Sequence, residues 1–303
     1  MQIQNPRLSV VLNAGSGDGS AEAAEAVLGP LFSTAGFDVR ITMLRGDDDL
    51  AHAMTAAIAD GVQIVAAGGG DGTVNAVVNA IAGHDITLGV LPLGTLNHFA
   101  KDLGIPIALE DAARVIIAGH TSHVDVGEVN GRAFLNNSSL GLYPRIVQLR
   151  ERYRARGIRK WFVATWATMV VTRRNRSYAV SLTIDGQDVV RRTPIIFIGN
   201  NAYRMAGFDA GSRDALTSGQ LALYVVKHGG RVRLLQLVWR ILTGTARASG
   251  DLAVVEAQTA TIDLATSGGP MEVPVAIDGE LATMTLPLRY VIRPGALRVI
   301  VPA

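Results

Sequence analysis

The sequence contains no cysteine. This absence excludes disulfide bonds, thiolate metal sites and thiol nucleophiles, and it fits a reducing compartment. The sequence also has no large excess of charge of one sign, because 28 Lys and Arg residues face 26 Asp and Glu residues. The near balance of charges therefore excludes an overall positive potential that would attract nucleic acid. A charged partner must bind at a local cluster of charged residues.

Long apolar runs are also absent. The longest uncharged stretches, residues 86–100 and 161–172, are shorter than the roughly 20 apolar residues that cross a bilayer. The N-terminus has no basic segment followed by an apolar stretch and a small-residue cleavage site, so we expect no export signal. These features predict a cytoplasmic protein that is soluble or rests on a membrane surface.

Apolar residues are numerous enough for a large core. The 303 residues are 49% hydrophobic and 18% charged, which is a globular composition. This length favours two domains.

Short apolar runs alternate with helical segments in the first 120 residues. The runs at 8–13, 39–44, 62–67 and 86–91 are typical of strands that are buried on both faces. The segments between them begin after Ser, Asp or Thr and end at Gly, as helices do. This alternation predicts an α/β domain over residues 1–122, with a parallel sheet and helices on both faces.

The pattern changes after about residue 120. The dipeptides Asn130-Gly131, Asp185-Gly186 and Asp278-Gly279 each separate two runs rich in Val, Ile, Leu and Thr, as in β-hairpins. They predict a mostly antiparallel domain over residues 123–303, with helices near 144–172 and 231–243. The extreme C-terminus could return toward the first domain.

The string GGGDGT, residues 68–73, joins the third predicted strand to the third predicted helix. Ligands of parallel sheets bind at this end of the strands, where glycines let the backbone approach phosphate and helix amides face an anion. Asp71 beside such a site requires a divalent cation or holds the loop in position, and Thr73 can cap the helix. The alternative is a tight turn in which Asp71 and Thr73 only cap the helix.

Two further glycine-rich loops, LNAGSG and LPLGTLNHFAKDLGIP, follow the first and fourth predicted strands. Asn13 can bond a nucleotide amide or phosphate, and Asn97 begins another helix. The hydroxyls of Ser16 and Thr95 can reach phosphate oxygens. We therefore expect all three loops to face one crevice, although the chain has no Walker A sequence.

Five motifs resemble those of the diacylglycerol kinase catalytic family, which includes bacterial lipid kinases and sphingosine kinases. They are NAGSG, GGGDGT, PLGTLNHFAKDLGIP, VDVGEVNGRAFLNNSSLG and AIDGE, and they occur in the family's order over nearly the whole chain. The resemblance implies a Rossmann-like nucleotide-binding domain and a β-sandwich-like lipid domain. It also implies an active site in the interdomain cleft.

The same resemblance implies roles for single residues. Asp71 acts at the nucleotide phosphates and Mg²⁺, and Glu280 is the general base, with Asp278 beside it as a third catalytic residue. Glutamate can take the proton of an acceptor hydroxyl, but the string DGEL alone also suits a turn without catalytic function. The residues expected to hold ATP are Asn13, Ser16, Gly68, Gly69, Gly70, Gly72, Thr73, Thr95 and Asn97.

Three residues depart from the family's usual pattern. Ala76 replaces a glutamate after GGDGT, and His98 replaces an aspartate, where we interpret it as a helix-terminal histidine. Ser218 stands where a metal-associated segment commonly has aspartate, and serine is a poor ligand for a hard cation. The secondary Mg²⁺ site of some members is therefore in doubt here.

The segment from Arg150 to Arg176 surrounds an apolar, tryptophan-bearing stretch with arginines. Such basic flanks suit binding to an anionic membrane surface, where each Lys or Arg near the surface contributes about 1 kcal/mol to the binding free energy. The alternative is a helix that packs over the second domain while its arginines are solvated. Both interpretations can be true if one face of the helix packs and the other meets the lipid.

The sequence therefore predicts an ATP-dependent lipid kinase that associates peripherally with membranes and phosphorylates a lipid hydroxyl. A regulator that binds nucleotide or lipid without catalysis stays open because of Ala76, His98 and Ser218. An NAD-kinase-like enzyme also stays open, although the second signature of NAD kinases has no counterpart in the sequence. We expect no nucleic-acid partner and leave a homodimer open.

Overall fold

The computed structural model describes residues 6–15, 20–141, 144, 178–203, 213, 215–226, 252–264 and 271–303. The basic segment from Arg150 to Arg176 and the helix predicted at 231–243 lie outside these residues, as does the helix predicted at 144–172 apart from Pro144. The chain divides into two compact units. The first is Met1–Val124 with Gly295–Ala303, and the second is Asp125–Pro294.

Parallel strands form the sheet of the first unit, as predicted. They are β1 (Arg7–Asn13), β2 (Asp38–Leu44), β3 (Ile64–Gly69) and β4 (Thr87–Pro92), in the order β2-β1-β3-β4. Each lies within two residues of its predicted apolar run. Strands β3 and β4 are buried almost throughout, which explains why their sequences show no alternation.

The described residues of the first unit form five helices beside this sheet: α1 (Ser20–Thr34), α2 (Asp47–Ala59), α3 (Asp71–Ile81), α4 (His98–Asp102) and α5 (Leu109–Ala118). Helix α1 packs with α5, and α2 packs with α3. Helix α3 buries Val74, Val77, Val78 and Ile81, a spacing that forms one apolar stripe.

Residues from the C-terminal end of the sequence complete the first unit. Strand β16 (Leu288–Ile300) places Val299 parallel to Leu88 of β4, and the Val301 N–H donates to the His120 carbonyl over 2.8 Å. Val299 and Ile300 are fully buried.

The second unit is built from antiparallel strands, as predicted. Strands β12-β11-β10-β7-β14-β15 form one sheet and β16-β13-β8-β9 the other, while β5 pairs with β6 and β16. Ser138 and Tyr290 lie in different sheets and share a hydrogen bond of 3.1 Å inside the common apolar core, so the two sheets form a sandwich. The bounds are β5 (Thr121–Val129), β6 (Arg132–Phe134), β7 (Asn137–Gly141), β8 (Tyr178–Ile184), β9 (Gln187–Thr193), β10 (Ile195–Asn200), β11 (Leu221–Val226), β12 (Leu252–Ala257), β13 (Thr259–Leu264), β14 (Glu272–Ile277) and β15 (Glu280–Thr285).

The three predicted hairpin turns are confirmed. Asn130-Gly131 joins β5 to β6, Asp185-Gly186 joins β8 to β9, and Asp278-Gly279 joins β14 to β15. All six residues have positive φ angles, between 44° and 86°, as type I′ turns require. No helix in the described part of the chain is long and apolar enough to cross a membrane.

Candidate functional site

Hydrogen bonds connect the three glycine-rich loops that follow β1, β3 and β4 in the first unit. The Asn13 side-chain amide donates to the Thr73 hydroxyl over 2.9 Å and accepts from the Gly15 N–H. The backbone N–H groups of Leu93 and Gly94 both donate to the Gly69 carbonyl at 3.1 Å. The sequence therefore predicted this grouping of loops correctly. Ser16 lies outside the described residues.

The glycines allow these loops to pack against their neighbours. A Cβ on Gly68 would lie 2.4 Å from Leu12 Cδ2, and one on Gly69 would lie 2.4 Å from Thr73 Oγ1. A Cβ on Gly94 would lie 2.4 Å from the Gly70 Cα. Close packing between protein segments is thus sufficient to require glycine here, and phosphate contact by these residues stays a prediction.

Helix α3 begins at Asp71, with Gly70 at its N-cap position. The prediction that Thr73 caps the helix is therefore wrong, because Thr73 lies inside the first turn and its hydroxyl accepts from Asn13. The first N–H groups of a helix have no partner within it, and Gly70 has no side chain that could accept from them. The amides of Asp71, Gly72 and Thr73 thus suit an anion at this helix end.

Asp71 connects α3 to α4. Its Oδ2 accepts from the His98 N–H over 3.2 Å, and its Oδ1 accepts from the Phe99 N–H over 3.1 Å. The carboxylate therefore stabilises the first turn of α4. Each oxygen retains a further lone pair, so this role and cation binding are compatible.

Asn97 shapes the loop before α4. It is buried with a φ of 50°, and its side chain donates to the Pro92 and Gly94 carbonyls and accepts from the Gly94 N–H. These contacts all lie within its own loop, so contact with a nucleotide stays a prediction. Thr95, in the same loop, is exposed.

Asp278 and Glu280 differ in their surroundings within the second unit. Asp278 accepts three backbone hydrogen bonds of 2.8 Å, from Leu135, Asn136 and Asn137. Burial raises the pKa of Asp278 to about 6, while these amides and Arg213 oppose the rise. Glu280 is half-exposed and pairs with Arg132 at 3.2 Å. Asp278 thus stabilises the turn, and Glu280 is the more exposed of the two residues.

Sequence reasoning did not identify a buried polar cluster around Arg213. The Arg213 guanidinium donates to the carbonyls of Leu135 and Asn200 and to the side-chain oxygen of Asn136. Asn200 also donates to the carbonyls of Asp125 and Leu135. Segments far apart in sequence supply these groups, so no local motif signals the cluster.

An apolar cavity of about 160 Å³ lies within the second unit, lined by residues of β7, β8, β10, β13 and β14. Leu140, Val180, Ile196, Val273 and Leu286 are among its apolar lining. Thr193 and Asp263 also line it, and the cavity is partly open to its surroundings. Its volume is similar to that of an apolar cavity that holds a molecule of the size of benzene.

Two family profiles match the chain. The diacylglycerol kinase catalytic domain matches residues 7–129, and the YegS C-terminal NAD kinase beta sandwich-like domain matches residues 139–301. The chain belongs to the diacylglycerol kinase catalytic family. The resemblance drawn from its motifs is therefore confirmed.

Named relatives in this family cover the chain to different extents. A diacylglycerol kinase of Mycobacterium tuberculosis is 27% identical over 98% of this chain and 95% of its own length. One of Staphylococcus carnosus is 31% identical over 66% of each chain. The Probable lipid kinase YegS of Escherichia fergusonii is 37% identical over 46% of this chain, which spans only 48% of that relative.

Solved structures share the fold. Two Bacillus anthracis structures cover the whole chain with TM-scores of 0.79 and 0.71 at 23% and 22% identity, and the second is a diacylglycerol kinase. The chain covers 97% and 98% of them. At these identities the likeness concerns the fold alone.

The structure shows the surroundings of the three residues that depart from the family's usual pattern. His98 is the first residue of α4, which agrees with its interpretation as a helix-terminal histidine. Ala76 lies within α3 and supplies no carboxylate there. Ser218 donates through its N–H and its hydroxyl to the Asn201 side-chain oxygen, and the Gly219 N–H donates to Asp125 over 2.7 Å. Ser218 is thus occupied as a hydrogen-bond donor, and the loss of the secondary Mg²⁺ site stays a prediction.

The loops of the first unit fit ATP with Mg²⁺. They offer free helix amides and one carboxylate, Asp71, and no group of three acidic or histidine side chains suited to a metal occurs among the described residues. Mg²⁺ is usually held by one or two carboxylates together with substrate phosphates, so a single carboxylate suffices.

Proposed function

We propose that this protein is an ATP-dependent lipid kinase, which transfers the γ-phosphate of ATP to a hydroxyl group of diacylglycerol or a related lipid. The observation that carries the proposal is the loop cluster of the first unit, where Asp71 joins the N-terminal turns of α3 and α4. Membership in the diacylglycerol kinase catalytic family and the names of its relatives support the same activity.

ATP binds in the first unit. Its phosphates accept hydrogen bonds from the amides of Asp71, Gly72 and Thr73, and the Thr95 hydroxyl contributes from the neighbouring loop. A Mg²⁺ ion held by Asp71 would supply neutralisation of part of the charge on the transferring phosphate. Asp71 holds the cation and keeps α4 in place, so one side chain links metal binding to the shape of the site.

The lipid binds in the second unit. The apolar cavity takes the terminal carbons of an acyl chain, because its volume suits about six carbon atoms rather than a whole chain. Glu280 accepts the proton of the acceptor hydroxyl, in the role that an aspartate has in protein kinases. Asp278 fixes the turn that carries Glu280.

The lipid is reached at a membrane surface. We expect a cytoplasmic protein that associates peripherally with anionic membranes through the segment from Arg150 to Arg176, whose charge pattern suits such a surface.

One experiment tests the proposal. The purified protein is incubated with γ-labelled ATP and Mg²⁺ against mixed micelles of diacylglycerol, phosphatidylglycerol, ceramide or a sphingoid base, and against soluble NAD. We expect label on one of the lipids. Label on NAD instead would make the protein an NAD-kinase-like enzyme.

The second candidate function is a nucleotide- or lipid-binding regulator without catalysis. Its support is the absence of carboxylates at Ala76, His98 and Ser218. Calorimetric ATP binding, measured on the same preparation, separates the two candidates, because tight binding without transfer to any lipid favours the regulator.

A further inference from the structure

Arg132 and Glu280 occupy equivalent places in two hairpins of the second unit. Arg132 is the first residue after the turn Asn130-Gly131, and Glu280 is the first residue after the turn Asp278-Gly279. The turn residues have φ angles of 46° and 83° in the first hairpin and 47° and 86° in the second. This turn type fixes the register of the two strands that it joins. The backbone positions of Arg132 and Glu280 are therefore fixed by their turns.

The two hairpin regions are joined at two points. The first is Asp278, which accepts from the amides of residues 135–137 and whose own N–H donates to the Asn137 carbonyl over 2.8 Å. The second is the ion pair between Arg132 Nη2 and Glu280 Oε2, at 3.2 Å. Asp278 thus fixes the backbone of the turn, and Arg132 contacts the side chain that leaves it.

The ion pair uses only one carboxylate oxygen of Glu280. Within the part of the chain that the structure describes, Oε1 of Glu280 has no hydrogen-bond partner. A carboxylate that is held by one oxygen presents its other oxygen in a defined direction. A half-exposed glutamate that exchanges freely between rotamers has no such defined direction.

We propose that Arg132 is a positioning residue for Glu280: it holds Oε2 so that Oε1 accepts the proton of the lipid hydroxyl. This inference rests on the proposed function. Exposed ion pairs contribute little to stability, and the side chains of Arg132 and Glu280 are 38% and 52% exposed. The contribution of Arg132 is therefore to catalysis, where a misplacement of about 1 Å can cost a hundredfold in rate.

The test compares Arg132→Gln and Arg132→Lys with the wild type. We expect Arg132→Gln to lower kcat for lipid phosphorylation about ten- to a hundredfold, with an unchanged KM for ATP and an unchanged melting temperature. Arg132→Lys keeps the charge and restores part of the rate. Arg132→Ala is partly rescued by added guanidinium, at concentrations far below those that unfold proteins.

The control is Arg293→Gln, which removes an arginine paired to Glu128 at 3.0 Å in the same unit. It should leave kcat unchanged. An Arg132→Gln enzyme with the wild-type kcat, or an equal loss in Arg293→Gln, overturns the inference.

A readout without turnover separates this inference from the proposed function. In crystal structures, Glu280 should adopt one conformation in the wild type and several in Arg132→Gln. Equal order of Glu280 in both proteins overturns the positioning role, even if the wild type phosphorylates lipid. A wild type that labels no lipid contradicts the proposed function, while the crystal structures still decide whether Arg132 holds Glu280.

Discussion

Asp71 has two tasks in the proposed site, and substitution should separate them. In Asp71→Asn the side chain retains one acceptor for the amides of α4 but loses its charge. We expect lipid phosphorylation to fall at least about a hundredfold, because the charge at the phosphates is lost. The free energy of unfolding should fall by only about 1 kcal/mol, as for a weakened helix cap.

Asp49→Asn is the matched control for Asp71→Asn. The Asp49 carboxylate also accepts two backbone N–H groups, from Arg45 and Gly46, and it lies outside the glycine-rich loops. Kinetic assays and urea unfolding of both variants should show similar losses of stability but a loss of activity only in Asp71→Asn. Full activity of Asp71→Asn contradicts the assignment.

Asp278 should make stability depend on pH. Its pKa is about 6 in the folded chain against 3.8 for an ordinary aspartate, so between these values the folded state keeps a proton that the unfolded state loses. Its contribution to stability is present below about pH 4 and is lost as the pH rises through 6. The free energy of unfolding should fall by up to about 3 kcal/mol over this window.

Asp278→Asn should remove this component, as measured by urea unfolding at pH 4.5 and pH 7. Asp185→Asn is the matched control, because Asp185 also begins a two-residue turn and accepts backbone N–H groups of another strand. An unchanged pH dependence in Asp278→Asn would show that another group is responsible.

The sandwich should determine the preferred acyl chain length. Val273 on β14 lines the apolar cavity, so Val273→Phe reduces its volume. We expect the KM for a 16-carbon lipid to rise about tenfold, as one or two lost methylene contacts would give, while an eight-carbon analogue is less affected. Val190→Phe is the control, because Val190 is 61% exposed on β9 and does not line the cavity. Equal KM ratios in both variants contradict the assignment of the cavity.

The segment around Ser218 should be independent of divalent cations. The buried guanidinium of Arg213 supplies the positive charge among the surrounding carbonyl oxygens. Without ATP, the melting temperature should be equal in EDTA and in Mg²⁺ to within about 1 °C, since only a bound ligand shifts it. Arg213→Met should lower stability by about 3 kcal/mol, unlike Arg293→Met at an exposed pair. A marked rise of the melting temperature with Mg²⁺ alone would point to a cation site.

Local elements were predictable from the sequence, and contacts between distant segments were not. The strands of the first unit and the three hairpin turns follow from short apolar runs and from residues that tolerate positive φ. In contrast, the contacts of Asp278 with residues 135–137 and of Arg213 with Leu135 join segments more than 70 residues apart. Nothing in the local sequence distinguishes Asp278 from an ordinary turn residue such as Asp185.

Inside the predicted site, residue types were easier to predict than their contacts. Asn13 and Thr73 were both expected at the phosphates. The structure pairs them with each other, and their contact with a phosphate stays a prediction. The pairing was not predictable, because a side chain that can bond a ligand can equally bond the neighbouring loop, and only the fold decides which partner is within reach.

The first unit should not fold from residues 1–124 alone. Without Gly295–Ala303, the edge of β4 lacks its partner and the surface that contacts Val299 and Ile300 becomes exposed. We expect a fragment of residues 1–124 to aggregate, whereas the same fragment joined through a flexible linker to residues 288–303 should unfold cooperatively. Circular dichroism melting of both fragments tests this, and a cooperative transition of the shorter one contradicts it.

The position of Gly295–Ala303 in the first unit also bears on protein synthesis. Domains generally fold in order as the ribosome makes them, at about 5 to 20 residues per second. Here the sheet begun by the earliest residues waits about 10 to 30 seconds for its fifth strand, because some 170 further residues are translated first. During that delay the nascent chain carries an open apolar edge, which makes it a natural client for a ribosome-associated chaperone.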